Sequence, residues 1–444
     1  MRCTVFGTGY LGATHAACMA ELGHEVMGVD VDPSKISKLE VGEVPFYEPG
    51  LQDMLQRNVD SGRLSFSTSY EEAVRFADLH FIAVGTPQRQ GEYAADLTQL
   101  LSVVDRLAPL LTEPAVLVGK STVPVGTTEM IAERARKLAP VGGALELAWN
   151  PEFLREGFAV QDTLTPDRLV IGLASGLSGR AEDLLREVYR KLVDEEVPII
   201  ITDLATAELS KSAANAFLAT KISFINAISE ICEPAGANVS DLANILGLDP
   251  RIGRSFLTSG LGFGGGCLPK DIRALMARAG ELGASEALHF LREVDSINMR
   301  RRTKMVELAR HACGGSVLGA RLAVLGAAFK PRSDDVRDSP ALSVAGQLQL
   351  EGAAVSIFDP QAMDNARRIF PTLNYATNSF EACERADAVL VLTEWSEFKD
   401  LDPSELATTV RSRVVLDGRQ CLEQARWEDA GWRYLAMGLP TINR

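Results

Sequence analysis

The feature that most restricts what this chain can become is a set of three glycines between a strand and a helix. Residues 2–6 read as a short apolar strand that runs into Gly7-Thr8-Gly9-Tyr10-Leu11-Gly12. An alanine-rich helical stretch follows over 13–22, and the next strand, Glu25-Val26-Met27-Gly28-Val29-Asp30, ends in an acid. Gly7 permits a tight turn, Gly9 lets the backbone approach a pyrophosphate, and Gly12 lets helix and strand pack closely. Unpaired N–H groups at the helix start then form an anion site, with Tyr10 and Leu11 beside it. Asp30 is placed to accept hydrogen bonds from ribose hydroxyls, and Asp32 beside it would repel a 2′-phosphate. A glycine turn alone is weak; strand, turn, helix, strand and acid in one register point to NAD rather than NADP.

The rest of the chain extends this pattern. Up to about residue 205, short β-branched runs alternate with helical stretches, with candidate strands at 2–6, 25–30, 79–85, 115–121, 145–149, 168–173 and 197–202. Such alternation predicts a largely parallel sheet covered on both faces. Residues 204–232 contain no Gly or Pro, and Leu209, Ala213, Ala216, Phe217, Thr220, Phe224, Ile228 and Ile231 recur at helical spacing. That predicts one helix roughly 40 Å long, with more helix through about residue 310. After Gly314-Gly315, a second set of strands is expected at 321–326, 353–359, 387–392 and 413–417. The expected fold is therefore α/β, with two Rossmann-like parallel-sheet domains (1–203 and 313–444) joined by a central helical domain (204–312).

Composition narrows the function classes. A net charge of -14, from 59 acidic and 45 basic side chains, argues against a nucleic-acid partner. No apolar run approaches membrane-spanning length and no leader precedes the first strand, so a cytoplasmic protein without a membrane partner is expected. The seven cysteines are scattered and no metal-ligand cluster occurs, which predicts reduced thiols and no metal.

Chemistry concentrates in Gly260-Leu-Gly-Phe-Gly-Gly-Gly-Cys267-Leu-Pro-Lys-Asp271. Five glycines precede a thiol at the entry of a helix expected over 270–279, where the helix start and Lys270 favour the thiolate. The glycines, Gly264 among them, remove bulk so that a substrate can approach. Asp271 is either a first-turn acid or a catalytic partner. Lys211 and Asn215 share one helix face, which is either a solvated surface or a site for an oxyanion or a water. Glu152 and Glu156, in Asn150-Pro-Glu-Phe-Leu-Arg-Glu-Gly157, are each a general base or a helix-start charge. Thr86, Ser121 and Thr122 close strands of the first sheet, where small hydroxyls are either cofactor contacts or ordinary caps of strand-to-helix turns.

These segments resemble one family, the UDP-glucose/GDP-mannose dehydrogenases. The matches are G-T-G-Y-L-G (7–12), V-G-T-P (84–87), S-T-V-P-V-G-T (121–127), N-P-E-F-L-R-E-G (150–157), K-x-x-x-N (211–215), R-I-G (251–253), G-F-G-G-G-C-L-P-K-D (262–271) and F-K-x-x-x-x-D-x-R (329–337), in the family's order. The resemblance implies two successive NAD-dependent oxidations of a sugar nucleotide's C6 alcohol to the carboxylate. It implies a thiohemiacetal and then a thioester on Cys267, with Lys211 and Asn215 holding oxyanions and Asp271, Glu152 and Thr122 serving the hydrolytic water. It further assigns Asp30, Lys35, Thr86, Glu156, Lys270 and Arg337 to NAD, and Phe153, Leu154, Phe263 and Lys330 to the sugar nucleotide. Arg251 would reach into a partner subunit, making a homodimer or larger homo-oligomer. Asp249-Pro-Arg-Ile-Gly253 is more similar to the UDP-glucose branch; TDP-glucose, GDP-mannose and N-acetylated UDP-hexosamines remain alternatives. Outside that chemistry stand a hydroxyacid dehydrogenase and a non-catalytic NAD sensor. Gly266 and Ser212 depart from the family's usual serine and aromatic.

Overall fold

In a computed structural model, which describes residues 1–174 and 179–440, the chain forms two compact units. One comprises Met1–Ala214 with Arg273–Gly283, the other Asn215–Ile272 with Ala284–Arg444. The division falls within the long helix, Leu204–Ala235, and within the helix Leu268–Glu281, so each contributes residues to both units.

The first unit is built on eight strands: β1 (Arg2–Phe6), β2 (Glu25–Val29), β3 (Leu64–Ser67), β4 (Leu79–Ile82), β5 (Ala115–Gly119), β6 (Leu145–Trp149), β7 (Leu169–Leu173) and β8 (Ile199–Asp203), in the order β3-β2-β1-β4-β5-β6-β7-β8. The central strands β4 and β5 are buried at every position, because helices cover both faces of a parallel sheet. One pair breaks the parallel rule: β6 and β7 run antiparallel, with Ala148 opposite Leu173. Strand order reverses between β1 and β4, and ligands of such sheets bind at the carboxyl ends beside that switch.

The second unit carries a six-stranded parallel sheet of β9 (Arg321–Leu325), β10 (Ala354–Phe358), β11 (Asn374–Tyr375), β12 (Ala388–Val391), β13 (Val414–Asp417) and β14 (Arg433–Ala436), ordered β11-β10-β9-β12-β13-β14. The helix His289–Ala312 buries Met305, Val306 and Ala309 in the core of this unit.

Several expectations needed correction. β3, β11 and β14 were not anticipated, because runs as short as two to four residues give little periodicity. The first helix begins at Tyr10 and not at 13, so its opening turn lies inside the glycine motif. Of the positions read along the long helix, Leu209, Ala213, Phe217, Phe224 and Ile231 are exposed and Ala216 is buried. The buried residues combine apolar Ala207, Ala219, Ile225 and Cys232 with polar Glu208, Lys211, Ser212, Asn215, Ser223, Asn226 and Ser229. Among the described residues no helix is long and apolar enough to cross a membrane.

Candidate active site

The glycine turn has the geometry its sequence predicts. Gly7 has φ +90° and donates its N–H to the Val29 carbonyl at 2.8 Å. A Cβ on Gly12 would collide with the Gly7 carbonyl oxygen, so this approach of helix to strand requires glycine. Gly9 caps the helix Tyr10–Glu21 with no side chain bonded to the helix start, and a Cβ there would meet nothing within 4 Å. The space over these N–H groups is open, as a pyrophosphate needs. Asp30 Oδ2 accepts from the Thr8 N–H (2.8 Å), the Thr8 hydroxyl (3.0 Å) and the Lys35 ammonium (2.8 Å). Among the described residues its Oδ1 accepts only the Asp32 N–H, at 3.1 Å, which leaves room for a ribose hydroxyl. Burial opposes the charge on Asp30, but Lys35 and the Thr8 and Asp32 N–H groups outweigh it and hold the carboxyl below its ordinary range. Asp32 itself caps the helix Pro33–Glu40, accepting from Ser34 N (3.0 Å) and Lys35 N (3.3 Å). Thr86 and Ser121 brace neighbouring strand ends, donating to the carbonyls of Thr122 (2.7 Å) and Val84 (2.6 Å).

The strand β6 ends in the segment that carries the first set of candidate site residues. Glu152 is oriented by the Leu154 N–H (2.6 Å) and by the Lys211 ammonium at 3.1 Å, and both side chains of this ion pair are largely buried. Phe153 lies between two cations, with the Arg168 guanidinium 4.0 Å and the Lys211 ammonium 5.8 Å from its ring centroid. Glu156 lies close enough to Tyr10 to help burial and Glu48 hold the Tyr10 hydroxyl protonated.

The second set lies within the other unit. Cys267 is exposed, directly before the helix Leu268–Glu281. That helix starts two residues earlier than predicted, so Pro269 sits inside its first turn, where no N–H is required. Asp271 is buried: its Oδ2 accepts from Asn215 Nδ2 at 2.6 Å and its Oδ1 from the Lys270 ammonium at 2.5 Å. The Lys270 ammonium is thus ion-paired with Asp271. Arg337 forms a fork with Asp335 (2.9 and 2.7 Å), and Arg251 pairs with Asp249 at 2.6 Å on an exposed side chain. The Lys330 ammonium lies 5.3 Å from the ring of its neighbour Phe329.

The structure shows a packing reason for the glycines before Cys267. A Cβ on Gly264 would strike the Asp338 carbonyl, one on Gly265 would come within 2.7 Å of the Phe329 ring, and one on Gly266 would displace the Arg337 guanidinium. They admit the 329–338 segment of the chain itself. The space at Gly266 thus has a physical account: the guanidinium of Arg337 occupies it.

Five residues that no local motif singled out, Asn298, Arg301, Asn226, Arg419 and Glu48, hold these segments. Asn298, on the helix His289–Ala312, accepts from Phe263 N (2.7 Å) and donates to Phe263 O (2.9 Å). Arg301, fully buried on the same helix, donates to Gly260 O at 2.9 Å, while Gly260 N donates to Asn226 at 2.9 Å. Arg419 donates to the carbonyls of Leu392 (2.9 Å), Gly262 (2.9 Å) and Phe329 (3.2 Å). Glu48 is buried in the first unit.

The two sheets differ at the place where a dinucleotide would bind. In the second, the acid at the end of β10, Asp359, is saturated by the N–H groups of Ala327, Ala328, Gln361, Ala362 and the Trp395 indole at 2.7–3.0 Å. No lone pair is left there for a ribose, whereas Asp30 keeps one, so cofactor binding falls to the first sheet. A dehydrogenase is the class this defines: the protein is an NAD-dependent oxidoreductase. More particularly, it belongs to the UDP-glucose/GDP-mannose dehydrogenase family, whose NAD binding domain matches residues 1–193, central domain 205–300 and UDP binding domain 323–424. A UDP-glucose 6-dehydrogenase of Rhizobium meliloti is 42% identical over 99% of this chain and 100% of its own length. UDP-glucose 6-dehydrogenase TuaD of Bacillus subtilis is 41% identical over 99% of this chain and 93% of its own. The solved structure of a UDP-glucose dehydrogenase from Pyrobaculum islandicum superposes with a TM-score of 0.90 at 37% identity, covering 99% of this chain and 98% of that one.

Proposed function

We propose that the chain oxidises the C6 alcohol of UDP-glucose to the carboxylate in two steps, each reducing one NAD. The observation that carries this is the pairing of the buried Asp271 with Asn215 one turn into the helix that the exposed Cys267 precedes. A nucleophilic thiol and a buried carboxylate are what a dehydrogenase needs to take an aldehyde onward without releasing it. NAD, when bound on Gly7, Gly9, Gly12 and Asp30, supplies the hydride acceptor for each oxidation. Cys267 adds as thiolate to the aldehyde carbon, giving a thiohemiacetal. Loss of its hydride leaves a thioester, and water releases the carboxylic acid and restores the thiol. Lys211 and Asn215 donate to the oxyanions of these steps, and Asp271, Glu152 and Thr122 orient and deprotonate the water. Phe153, Leu154, Phe263, Gly264, Lys330 and Arg251 hold the sugar nucleotide.

UDP-glucose is favoured because relatives of that name are 37–42% identical over nearly the whole chain, whereas a UDP-D-ManNAc dehydrogenase of Pyrococcus horikoshii is 27% identical. The family-domain matches support assigning 1–203 to NAD, 204–312 to the central domain and 313–444 to the nucleotide of the substrate. A homodimer is the proposed assembly. Phe217, Phe224 and Ile231 recur every seven residues along the long helix and are 67%, 50% and 63% exposed, an apolar stripe that a second helix would cover. The test is NADH formed per UDP-glucose consumed, with Cys267→Ser alongside. Two NADH per sugar, with steady turnover lost in the variant, is expected. One NADH per sugar would rule out the thioester route, and NADH only with an N-acetylated UDP-hexosamine would move the substrate.

A further inference from the structure

Glu48 is a buried carboxylate with no cation to neutralise it among the described residues. It is 5% exposed and lies between the helices Pro33–Glu40 and Leu51–Asp60. Burying such a charge is costly unless hydrogen bonds replace its water. Three neutral donors do so. Oε2 accepts from the Tyr10 hydroxyl, in a short contact, and from Gly157 N at 2.7 Å; Oε1 accepts from Ala159 N at 2.7 Å. Gly157 N also lies 3.1 Å from the Tyr10 hydroxyl oxygen, so the hydroxyl, the carboxylate and the amide form one closed cluster.

The donors come from two functional segments. Tyr10 is the first residue of the helix that starts in the cofactor turn. Gly157, at φ +78°, ends the segment that carries Glu152, Phe153 and Leu154, and Ala159 opens the short helix after it. Phe158, the residue before that helix, makes no side-chain cap, so Glu48 supplies from a distance the acceptor that a local cap would have supplied. The cofactor turn does not depend on Glu48 in the same way. Its shape is set by the glycine backbone, and the Tyr10 ring also packs on Phe46, with centroids 5.1 Å apart.

We propose that Glu48 is a positioning residue for the sugar nucleotide: it pins the exit of the 150–157 segment to the cofactor turn and so sets sugar-nucleotide affinity rather than NAD affinity. The proposal rests on the reading that Phe153 and Leu154 contact the sugar nucleotide. A glutamine at 48 fills the same volume but offers one acceptor oxygen to three donors and turns an NH2 toward one of them.

The test is Glu48→Gln, with steady-state kinetics in both substrates and hydrogen exchange of the peptide spanning 155–160. The expected result is a KM for UDP-glucose raised about tenfold, the loss of roughly one charge-assisted hydrogen bond. The NAD KM should stay within about threefold, and the 157 and 159 amides should exchange faster. Unchanged kinetics with unchanged exchange would overturn the proposal, as would equal rises in both KM values. If the unmodified enzyme fails to oxidise any sugar nucleotide, the functional reading fails instead, and exchange at 157–159 still decides whether Glu48 pins the segment. Should Glu48→Gln not fold, Glu48→Asp keeps the charge but is one methylene too short to reach both amides, and carries the same expectations.

Discussion

Lys120, at the end of β5, is a buried ammonium surrounded by neutral acceptors. It donates to Asn150 Oδ1 at 2.8 Å and lies 3.4 Å from Asn150 O and 3.3 Å from the Tyr189 hydroxyl. Burial pushes its pKa down from 10.5 to about 8, and Glu152 only partly opposes this. The difference corresponds to about 3 kcal/mol, at 1.36 kcal/mol per pH unit. Because the folded-state pKa lies below the unfolded one, the folded chain carries this cost in full below about pH 8. The unfolded chain binds the extra proton between about 8 and 10.5, so over that window stability rises with pH and the cost disappears. Lys120→Met removes the charge at similar volume. Asn150 Oδ1 keeps the Tyr189 hydroxyl at 2.7 Å, so the lost hydrogen bonding costs about 1 kcal/mol. At pH 7 the variant should therefore be more stable by about 2 kcal/mol, or roughly 4–8 °C in melting temperature for a unit of this size. By pH 10 that advantage should vanish. The assay is the melting temperature of both proteins from pH 7 to 10, where titrations common to the two cancel in the difference. Parallel curves would refute the reasoning, because they would mean that Lys120 does not carry a destabilising buried charge.

Three further outcomes are expected. Asn298→Ala leaves the Phe263 N–H and C=O buried and unpaired, so it should destabilise by about 2–4 kcal/mol and change the rate at which iodoacetamide alkylates Cys267; urea unfolding and thiol labelling at rates equal to wild type would contradict this. Gly266→Ser should displace the Arg337 guanidinium with little effect on melting temperature, since only the end of a flexible side chain must move, and should raise the NAD KM several-fold. Phe224→Asp, on the exposed stripe of the long helix, should shift the protein toward monomer in analytical ultracentrifugation without lowering helix content; an unchanged sedimentation coefficient would argue against that face as the dimer contact.

Much of this was legible residue by residue where the chemistry is local. A glycine that must accept φ near +90°, as Gly7 does, and an acid ending the next strand are properties of neighbours in the chain, and a short window contains both. The same holds for the parallel sheets, because strands covered on two faces read as continuous apolar runs. Glu48, Asn298, Arg301 and Arg419 gave no comparable signal. Each is a single polar residue whose side-chain partners lie between 25 and 157 positions away, and in one dimension it looks like any solvated side chain. Helical spacing identified the long helix but not which face is buried. A period of 3.6 marks faces without saying what covers them, and here Lys211 and Asn215 are buried along with Ala216, Ala219 and Ile225 while Phe217, Phe224 and Ile231 are exposed.

The amino-acid order alone therefore determined the fold class and the glycine turn, and it supplied the residue types proposed to react, since each follows from local backbone freedom, hydrophobic period or side-chain chemistry. Tertiary structure alone decided the antiparallel pairing of β6 with β7, the saturation of Asp359 that closes the second sheet to a dinucleotide, and the packing that makes Gly264, Gly265 and Gly266 obligatory or tolerable. Those outcomes depend on which buried donors and acceptors find one another across long stretches of chain, and that is settled only when the chain is packed.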